Sequence, residues 1–527
     1  MNGITWINLT RTRSFGKLQQ IAKPGKRAVE SSAVAEQQIA VTDQLYYNYA
    51  AKGITAEVEE TLIALAAEQQ CIAKYQALAA GEPVNTGEQR MVLHHLTRGR
   101  LVDEMQSGTE GLEQSYRDQH RRLAQFAAAV HEGHIKGSTG RRFDTVVQIG
   151  IGGSDLGPRS IYLGLRNYAA RTAAGLKMRA HFISNVDPDD AAEVVSQVDP
   201  ERTLFILVSK SGTTQETLTN EAFVVELMRR GSAAGLDPHK HMIAVTSQTS
   251  PLAKSKAYLD AFFIDDYIGG RYSSTSAVGS AILTLAFGEE IVGEFLAGAH
   301  QADVAALQSD PRRNAALMDA LIGVYERNVL GYPATAVLPY SQALSRFPAH
   351  LQQLDMESNG KSVNRDGDAI DYPTGPIIFG EPGTNGQHSF YQLLHQGTDI
   401  VPLQFIGFRA SQLEHDVTVD GSTSQTKLNA NLAAQIVAFS HGKEDVNSNR
   451  AFAGGRSSSL LHAARLTPHT LGALLSHFEN KVMFQGFLWN INSFDQEGVQ
   501  LGKVLAKQLL SGNAGGALGA YAALLGV

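Results

Sequence analysis

Short apolar segments alternate with helix-length segments across the middle of this 527-residue chain. The apolar segments are TVVQIG (145–150), RAHFIS (179–184), TLFILV (203–208), MIAVT (242–246) and AFFID (261–265). Strands that are separated by helical connections pair in parallel, because each helix returns the chain to the same end of the sheet. The alternation therefore predicts an α/β domain in which helices flank a parallel sheet.

A second, weaker alternation follows a stretch rich in glycine and serine, GGRYSSTSAVG (269–279). Its predicted strands are TAVLPY (335–340), PIIFG (376–380) and DIVPLQFIG (399–407). Because 527 residues can build more than one hydrophobic core, we expect two α/β domains. The predicted limits are residues 111–280 for a first, smaller domain and residues 281–510 for a second, larger one.

The two ends of the chain are predicted to be helical. In EVEETLIALAAEQQCIAKYQALAA (57–80), apolar residues recur every three to four positions, which is typical of helices packed on one face. Residues 1–110 are therefore expected to form a helical segment that packs on the larger domain. The glycine-rich SGNAGGALGA (511–520) marks a C-terminal tail, residues 511–527.

Composition excludes several classes of protein. The net charge of -7 leaves no basic surplus for nucleic-acid binding. The apolar end GALGAYAALLGV (516–527) is shorter than the roughly 20 residues that a membrane span needs. The start, MNGITWINLTRTRSFGKL, lacks the apolar core of a secretory signal, and the single cysteine, Cys71, excludes an intramolecular disulfide. These features predict a cytoplasmic protein that contacts neither nucleic acid nor membrane.

Hydroxyl and amide side chains crowd the end of the third predicted strand, in SKSGTTQET (209–217). Ligands of parallel sheets lie beyond the carboxyl ends of strands, where helix N-termini present free N–H groups. Hydroxyl groups together with backbone amides at such a place can hold a phosphate dianion. The alternative is that Thr214 and Thr217 merely cap the helix that begins near Gln215.

A second loop of this kind, QIGIGGSDLGP (148–158), follows the first predicted strand. Gly152, Gly153 and Ser154 would let a ligand approach the backbone closely, and Pro158 suits the first turn of a helix. Two such loops on neighbouring strands favour the phosphate interpretation. They predict one ligand with two ends.

Nucleotide and zinc motifs do not fit. A dinucleotide fingerprint that begins at Gly150 would need glycine where the chain has Asp155. A phosphate loop that ends at Gly360-Lys361-Ser362 would need glycine where the chain has Asp355. The segment HEGH (131–134) lacks the spacing of the zinc-binding helix HExxH.

Three further stretches carry reactive side chains. QQLDMESNGKSVN (352–364) contains Asp355 and Glu357, GEPGTNGQHSFYQLLHQG (380–397) contains His388, and NSFDQEGVQLGKVLAKQLL (492–510) contains Lys503. Each also has an ordinary structural interpretation: a solvated acidic turn, a capping or core histidine, and a solvent-facing lysine on an amphipathic helix.

Taken in order, GIGGSDLGP, SKSGTTQET, GGRYS, DMESNGK, GTNGQHSFYQL and SFDQEGVQLGK resemble the phosphoglucose isomerase family. The resemblance runs from about residue 90 to residue 507. It implies two sugar-isomerase (SIS-type) α/β domains with an N-terminal helical extension and a C-terminal helical tail. It also implies a homodimer and the reversible isomerisation of glucose 6-phosphate and fructose 6-phosphate, in glycolysis and gluconeogenesis, with no metal or cofactor.

The resemblance also implies site residues. Residues expected to hold the sugar phosphate are Gly153, Ser154, Ser209, Lys210, Ser211, Thr214, Thr217, Gln353 and Gln496. Glu357 corresponds to the general base and Arg271 to the group beside the developing enediolate. His388 and Lys503 correspond to the pair that assists ring opening, with His388 supplied by the partner subunit.

Two positions depart from the family pattern. Gly212 stands where many members have phenylalanine, and Glu497 stands where many have tryptophan. Neither replaces a proposed reacting group. A non-catalytic sugar-phosphate regulator on the same fold is the competing hypothesis. It would keep residues 209–217 but could lose Glu357, His388 or Lys503, and all three are present.

Overall fold

The computed structural model describes residues 3–22, 28–106, 108–172, 175–231, 236–513 and 515–527. The helices are α1 (Arg13–Ile21), α2 (Ser31–Glu36), α3 (Ala56–Glu68), α4 (Cys71–Ala79), α5 (Leu112–Glu132), α6 (Leu156–Arg171), α7 (Pro188–Ser196), α8 (Gln215–Gly231), α9 (Ala277–Phe287), α10 (Glu289–Ala305), α11 (Ala315–Val324), α12 (Phe347–Gln352), α13 (Tyr391–Gln396), α14 (Ser424–His441), α15 (Pro468–Trp489), α16 (Gln500–Leu510) and α17 (Gly516–Leu525). The strands are β1 (Gln38–Ala40), β2 (Leu45–Asn48), β3 (Thr145–Ile149), β4 (Arg179–Ile183), β5 (Thr203–Val208), β6 (Met242–Thr246), β7 (Ala261–Phe263), β8 (Ala334–Pro339), β9 (Ile377–Phe379), β10 (Leu403–Phe408), β11 (Thr418–Val419), β12 (Ser422–Thr423) and β13 (Ser458–Ala463).

The first large sheet has the order β4-β3-β5-β6-β7, and all its strands are parallel. Every residue of the central strands β3, β5 and β6 is buried, as expected for a sheet covered on both faces. In the β3–β5 pair, Ile149 lies opposite Leu207. The loops that follow these two strands therefore leave the sheet side by side.

The second large sheet has the order β1-β2-β13-β10-β8-β9. Strands β13, β10, β8 and β9 are parallel, whereas β2 pairs antiparallel with β13 and with β1. This pair of large, helix-flanked sheets confirms the predicted α/β fold class. The predicted domain limits, 1–110, 111–280, 281–510 and 511–527, stay predictions.

Two parts of the second sheet differ from the sequence expectation. Residues 38–48 lie within the segment predicted to be helical, yet they form strands, and β2 buries Leu45 and Tyr47 on one face. Strand β13 was not predicted, because SSLLHA (458–463) opens with two serines and lacks a long apolar run. Both segments pair with neighbouring strands, β2 with β1 and β13, and β13 also with β10, and this tertiary context overrides their weak local preference.

Helix α15 is the centre of the larger core, since all but one of its residues, Pro468–Trp489, are buried. Two charged or polar side chains of this helix are paired inside the protein with the same carboxylate. His477 and Lys481 both contact Asp319 of α11, at 3.1 and 3.0 Å, and Lys481 also donates to Gln404 of β10. These contacts join α15 to α11 and to the second sheet.

Two wide turns of π-helix interrupt the ordinary helical geometry, at Tyr325–Val329 after α11 and at Gln353–Glu357 after α12. A π-turn is rare and occurs frequently at functional sites. The second turn contains Glu357, the carboxylate that the sequence resemblance identified as the general base.

The C-terminal helices differ from the rest of the fold because they bury little. No residue of α16 is buried, and the exposed apolar side chains of α16 and α17 include Leu501, Val504, Leu510, Leu524 and Leu525. None of the described helices is long and apolar enough to cross a membrane.

Candidate active site

The loop after β3 approaches the backbone of another segment very closely. Gly153 lies in a 3₁₀ turn, and a Cβ atom on it would stand 2.2 Å from the carbonyl carbon of Gly270. Gly270 begins the short turn Gly270–Tyr272, which contains Arg271. Only glycine at position 153 permits this contact, so the loop and the Arg271 turn hold each other in place.

The loop after β5 is closed by its own hydroxyl groups. Ser209 Oγ donates to Thr214 Oγ1 at 3.0 Å, and Ser211 Oγ accepts from the backbone and side chain of Thr213. Thr217 Oγ1 is buried and has no hydrogen-bond partner among the described residues. These residues lie where β5 leads into α8, so hydroxyl groups and a helix N-terminus meet at one point.

Lys210 supplies a cation beside this loop. Its Nζ donates to the carbonyl oxygens of Asp266 and Ile268, at 3.3 and 3.2 Å. Burial lowers the pKa of Lys210, although the Asp266 carboxylate opposes the shift. Carbonyl acceptors do not neutralise an ammonium group, so positive charge is available to an anion at the mouth of the loop.

Gly212 departs from the family pattern for a reason that is visible in the structure. Its φ of +68° is unfavourable for residues with a side chain, and a Cβ atom would stand 2.2 Å from Ser250 Oγ. The loop after β6 occupies the space that a side chain at position 212 would need. Glu497, the other departure, is exposed in the short turn Glu497–Val499.

Arg271 is 1% exposed and almost completely surrounded by acceptors. Nε donates to Ser358 Oγ at 2.6 Å and Nη1 to Gln496 Oε1 at 3.1 Å, while Nη2 donates to the carbonyl oxygens of Ser493 and Asp495 at 2.7 and 2.9 Å. This set of bonds fixes both the position and the plane of the guanidinium group.

The carboxylate of Glu357 lies next to this guanidinium. Arg271 Nη1 is 3.7 Å from Glu357 Oε2, and that oxygen is buried without a hydrogen-bond partner in the described chain. Glu357 and Gln353 both line an open cleft of about 1210 Å³, as does Gln496. The site thus presents a carboxylate at the cleft, beside a fixed positive charge.

Asp355 lies on the opposite side of the same π-turn. Its carboxyl group is buried, and burial raises its pKa to about 7 while Lys481 opposes the shift. Asp355 does not line the cleft that Glu357 and Gln353 share. The turn therefore directs one carboxyl group inward and another toward the cleft.

His388 and Lys503 are not brought to the cleft of the same chain. His388 ends a 3₁₀ turn, Asn385–His388, and Lys503 lies on α16, and both side chains are exposed. Among the described residues, neither makes a hydrogen bond or ion pair with a residue that lines the cleft. The other predicted residues form two groups. One group lies in the loops after β3 and β5, and the other, Gln353, Glu357 and Gln496, lines the cleft beside Arg271.

The sequence interpretation assigned no role to several residues that organise this site. Ser358, Ser493 and Asp495 accept hydrogen bonds from Arg271, and Lys361 forms an ion pair with Asp495. These residues fall within or beside the motifs DMESNGK and SFDQEGVQLGK. Their pairing joins segments that are more than 80 residues apart in the chain, and sequence spacing does not reveal it.

Comparison with known proteins identifies the family. The model of the family described as phosphoglucose isomerase matches residues 48–519. The chain belongs to the phosphoglucose isomerase family. Among its relatives, the glucose-6-phosphate isomerase of Treponema pallidum (strain Nichols) is 58% identical over 99% of this chain and 98% of that protein. The glucose-6-phosphate isomerase of Treponema denticola is 56% identical over 99% of both chains.

A solved structure supports the same relationship. The crystal structure of a glucose-6-phosphate isomerase from Chlamydia trachomatis superimposes with a TM-score of 0.89, at 41% identity and over 96% of each chain. The arrangement of two large sheets is therefore that of a phosphoglucose isomerase along nearly the whole chain.

The buried carboxyl group of Asp355 predicts a pH dependence of stability. Its pKa is about 7 in the folded protein, above the value of about 3.9 for an unfolded chain, so folding takes up a proton between these values. The contribution of Asp355 to the stability of the folded protein therefore decreases as the pH rises from about 4 to 7. Asp355→Asn removes this dependence.

We expect Asp355→Asn to gain stability relative to the unmodified protein as the pH rises. The difference in the free energy of unfolding, variant minus unmodified protein, should be about 2–3 kcal/mol larger at pH 8 than at pH 5. Urea unfolding at both pH values measures it. Glu479, whose pKa burial also raises to about 7, is present in both proteins and cancels in the comparison. A difference that does not change with pH would mean that Asp355 is ionised in the folded protein throughout.

Proposed function

We propose that this chain is a glucose-6-phosphate isomerase, which interconverts glucose 6-phosphate and fructose 6-phosphate through ring opening and a cis-enediolate intermediate. The observation that carries the proposal is that Glu357, which lines an open cleft, lies 3.7 Å from the buried guanidinium group of Arg271. The relatives with 58% and 56% identity are named for this activity. The role would be in glycolysis and gluconeogenesis.

Glu357 is proposed as the general base. Its carboxylate, which lines the cleft, can take the proton from C2 of the open-chain sugar and return it to C1. Positioned general base catalysis contributes about 10²–10⁴-fold to the rate. The same carboxylate serves both directions, because the forward and reverse reactions pass through one enediolate.

Arg271 is proposed to stabilise the charge that develops on the sugar oxygens during this transfer. A guanidinium group remains protonated at any working pH, and its bonds to Ser358 and Gln496 fix it before the substrate arrives. A preorganised donor of this kind contributes roughly 10²–10³-fold. Gln353 and Gln496 would provide polar contacts to the sugar.

The two loops beyond β3 and β5 are proposed to hold the phosphate end of the substrate. Lys210 contributes charge, and Thr217 contributes a buried hydroxyl group that has no other partner in the described chain. Ser209, Ser211 and Thr214 complete the phosphate loop, with Gly153 and Ser154 beside the sugar. Binding at this remote end positions the reacting carbons without taking part in the bond changes.

Ring opening of the sugar is assigned to His388 and Lys503, and we propose that the enzyme which carries them is a homodimer. The unperturbed pKa of histidine suits proton transfer between the ring oxygen and the anomeric hydroxyl group. Both side chains are exposed in one chain, and α16 carries exposed apolar residues such as Leu501 and Val504. We propose that a second copy covers this surface, and that its His388 completes each cleft.

A non-catalytic regulator would need the phosphate loops but not the Glu357–Arg271 pair, so the intact pair favours the enzyme. The cytoplasm is the proposed location, from the sequence features described above. No metal or cofactor is part of the proposed reaction.

The activity itself is tested with the purified protein and fructose 6-phosphate, in an assay coupled to oxidation of the glucose 6-phosphate formed. The unmodified protein should turn over, and Glu357→Gln should lose about 10²–10⁴-fold in kcat because an amide cannot accept the proton. Glu357→Gln should still bind the sugar phosphate, as measured by calorimetry. Substantial turnover by Glu357→Gln would remove Glu357 from the role of base.

Hybrid dimers test the assignment of His388 to the partner. A Glu357→Gln subunit paired with a His388→Ala subunit would have one site with both defects and one with neither. After joint unfolding and refolding of equal amounts, about half the dimers are mixed, so roughly a quarter of normal activity should return. Each variant refolded alone is the control and should stay inactive. Absence of recovery, with mixed dimers confirmed by mass, would mean that each site lies within one chain.

A further inference from the structure

Asp495 lies at the point where three segments of the chain meet beside the cleft. It belongs to the turn between α15 and α16, and its carboxylate Oδ1 is 2.6 Å from Lys361 Nζ. Both side chains are only 15% exposed. Lys361 also donates to the backbone carbonyl of Asp495 at 2.9 Å, so one ammonium group holds the side chain and the main chain of Asp495 together.

The same backbone carbonyl is a partner of the proposed catalytic cation. Asp495 O accepts from Arg271 Nη2 at 2.9 Å as well as from Lys361. The next residue, Gln496, accepts from Arg271 Nη1. A displacement of the turn at residue 495 would therefore move two of the acceptors that orient the guanidinium group.

The second carboxylate oxygen connects the turn to the N-terminal segment. Asp495 Oδ2 accepts from Asn492 Nδ2 at 2.6 Å, and the same amide group donates to Asn85 Oδ1 at 2.9 Å. Gly87 lies so close that a Cβ atom on it would stand 2.6 Å from Asp495 Oδ2. The turn that contains Gly87 thus packs directly against the carboxylate.

We propose that Lys361 and Asp495 are positioning residues for the isomerisation, because their ion pair fixes the turn that orients Arg271 beside Glu357. The role of Gly87 is to leave room for the Asp495 carboxylate in its paired position. This inference rests on the proposed function, since it concerns the orientation of Arg271 during proton transfer. Neither Lys361 nor Asp495 contacts the reacting carbons in this scheme.

The first test is Lys361→Met, which keeps the aliphatic stem and removes the ammonium group. Misplacement of a catalytic group by about 1 Å costs on the order of 10²-fold, so we expect kcat to fall about 10–100-fold while KM changes less than about threefold. Lys361→Arg, which retains donors for both acceptors of Asp495, should recover most of kcat.

Lys52→Met is the matched control, because Lys52 forms a buried ion pair with Glu326 at 3.0 Å and does not line the cleft. It should lower the melting temperature and leave kcat per folded enzyme within about twofold of the unmodified protein. Activity is normalised to folded protein, so a loss of stability is not counted as a loss of catalysis.

The second test changes Gly87, which packs against the carboxylate of Asp495 in the same turn. Gly87→Ala should lower kcat in the same direction as Lys361→Met, because its methyl group would displace the Asp495 carboxylate. In a background of Asp495→Ala, which removes that carboxylate, Gly87→Ala should have a much smaller effect, because the remaining neighbour of its methyl group is Asn492 Nδ2 at 3.2 Å. Such non-additivity is what a shared contact predicts.

Three results would overturn the proposal. A raised KM with unchanged kcat in Lys361→Met would make Lys361 a substrate contact. Loss of kcat per folded enzyme in Lys52→Met as large as in Lys361→Met would make the effect a general consequence of losing a buried ion pair. Additive effects of Gly87→Ala and Asp495→Ala on kcat would mean that Gly87 does not act through the Asp495 carboxylate. If the unmodified protein does not isomerise the sugar phosphate, the proposed function itself fails, which is a distinct result.

Discussion

The buried guanidinium group of Arg271 is the interaction on which the arrangement of this site depends. A charged group in the protein interior is tolerated only when its donors are satisfied, and Arg271 meets that requirement with acceptors from two separate segments. One segment follows the π-turn at residues 353–357 and the other connects α15 to α16. Because these acceptors must converge on one group, the segments that carry Glu357 and Gln496 are placed together.

The π-turn explains how one short segment serves both the core and the cleft. Asp355 is directed into the interior, toward the charge of Lys481, whereas Glu357 faces the cleft beside Arg271. Burial raises the pKa of the first carboxyl group to about 7, whereas the second lines the cleft 3.7 Å from the guanidinium group. Two carboxyl groups two positions apart are thereby given different environments.

Much of the fold could be predicted because the pattern that indicates each strand or loop lies within that short segment of sequence. The strands β3, β5 and β6 are continuous apolar runs, and the loops after β3 and β5 contain glycine and hydroxyl residues at the expected places. The strands of residues 38–48 and β13 could not be predicted in this way. Their sequences are polar or short, and they become strands through pairing with each other.

The motifs also predict candidate residues for the two loops and the cleft, but they do not predict which residues hold those candidates in place. The contact between Lys361 and Asp495 spans 134 residues of sequence, so no local pattern contains it. The glycine at position 212 is explained by its positive φ and by Ser250, which belongs to the loop after the neighbouring strand. His388 and Lys503 do not line the cleft of the same chain, and their proposed roles in ring opening are therefore not explained by the contacts within one chain.

The fate of the C2 hydrogen is the measurement that tests the central claim most directly. Glucose 6-phosphate labelled with deuterium at C2 is converted by the purified protein in ordinary water, and the product is analysed by NMR and mass spectrometry. Transfer by the Glu357 carboxylate predicts deuterium at C1 of fructose 6-phosphate in part of the product and solvent hydrogen at C1 in the rest. Complete retention of the label at all turnover rates would indicate a direct hydride shift and contradict the account.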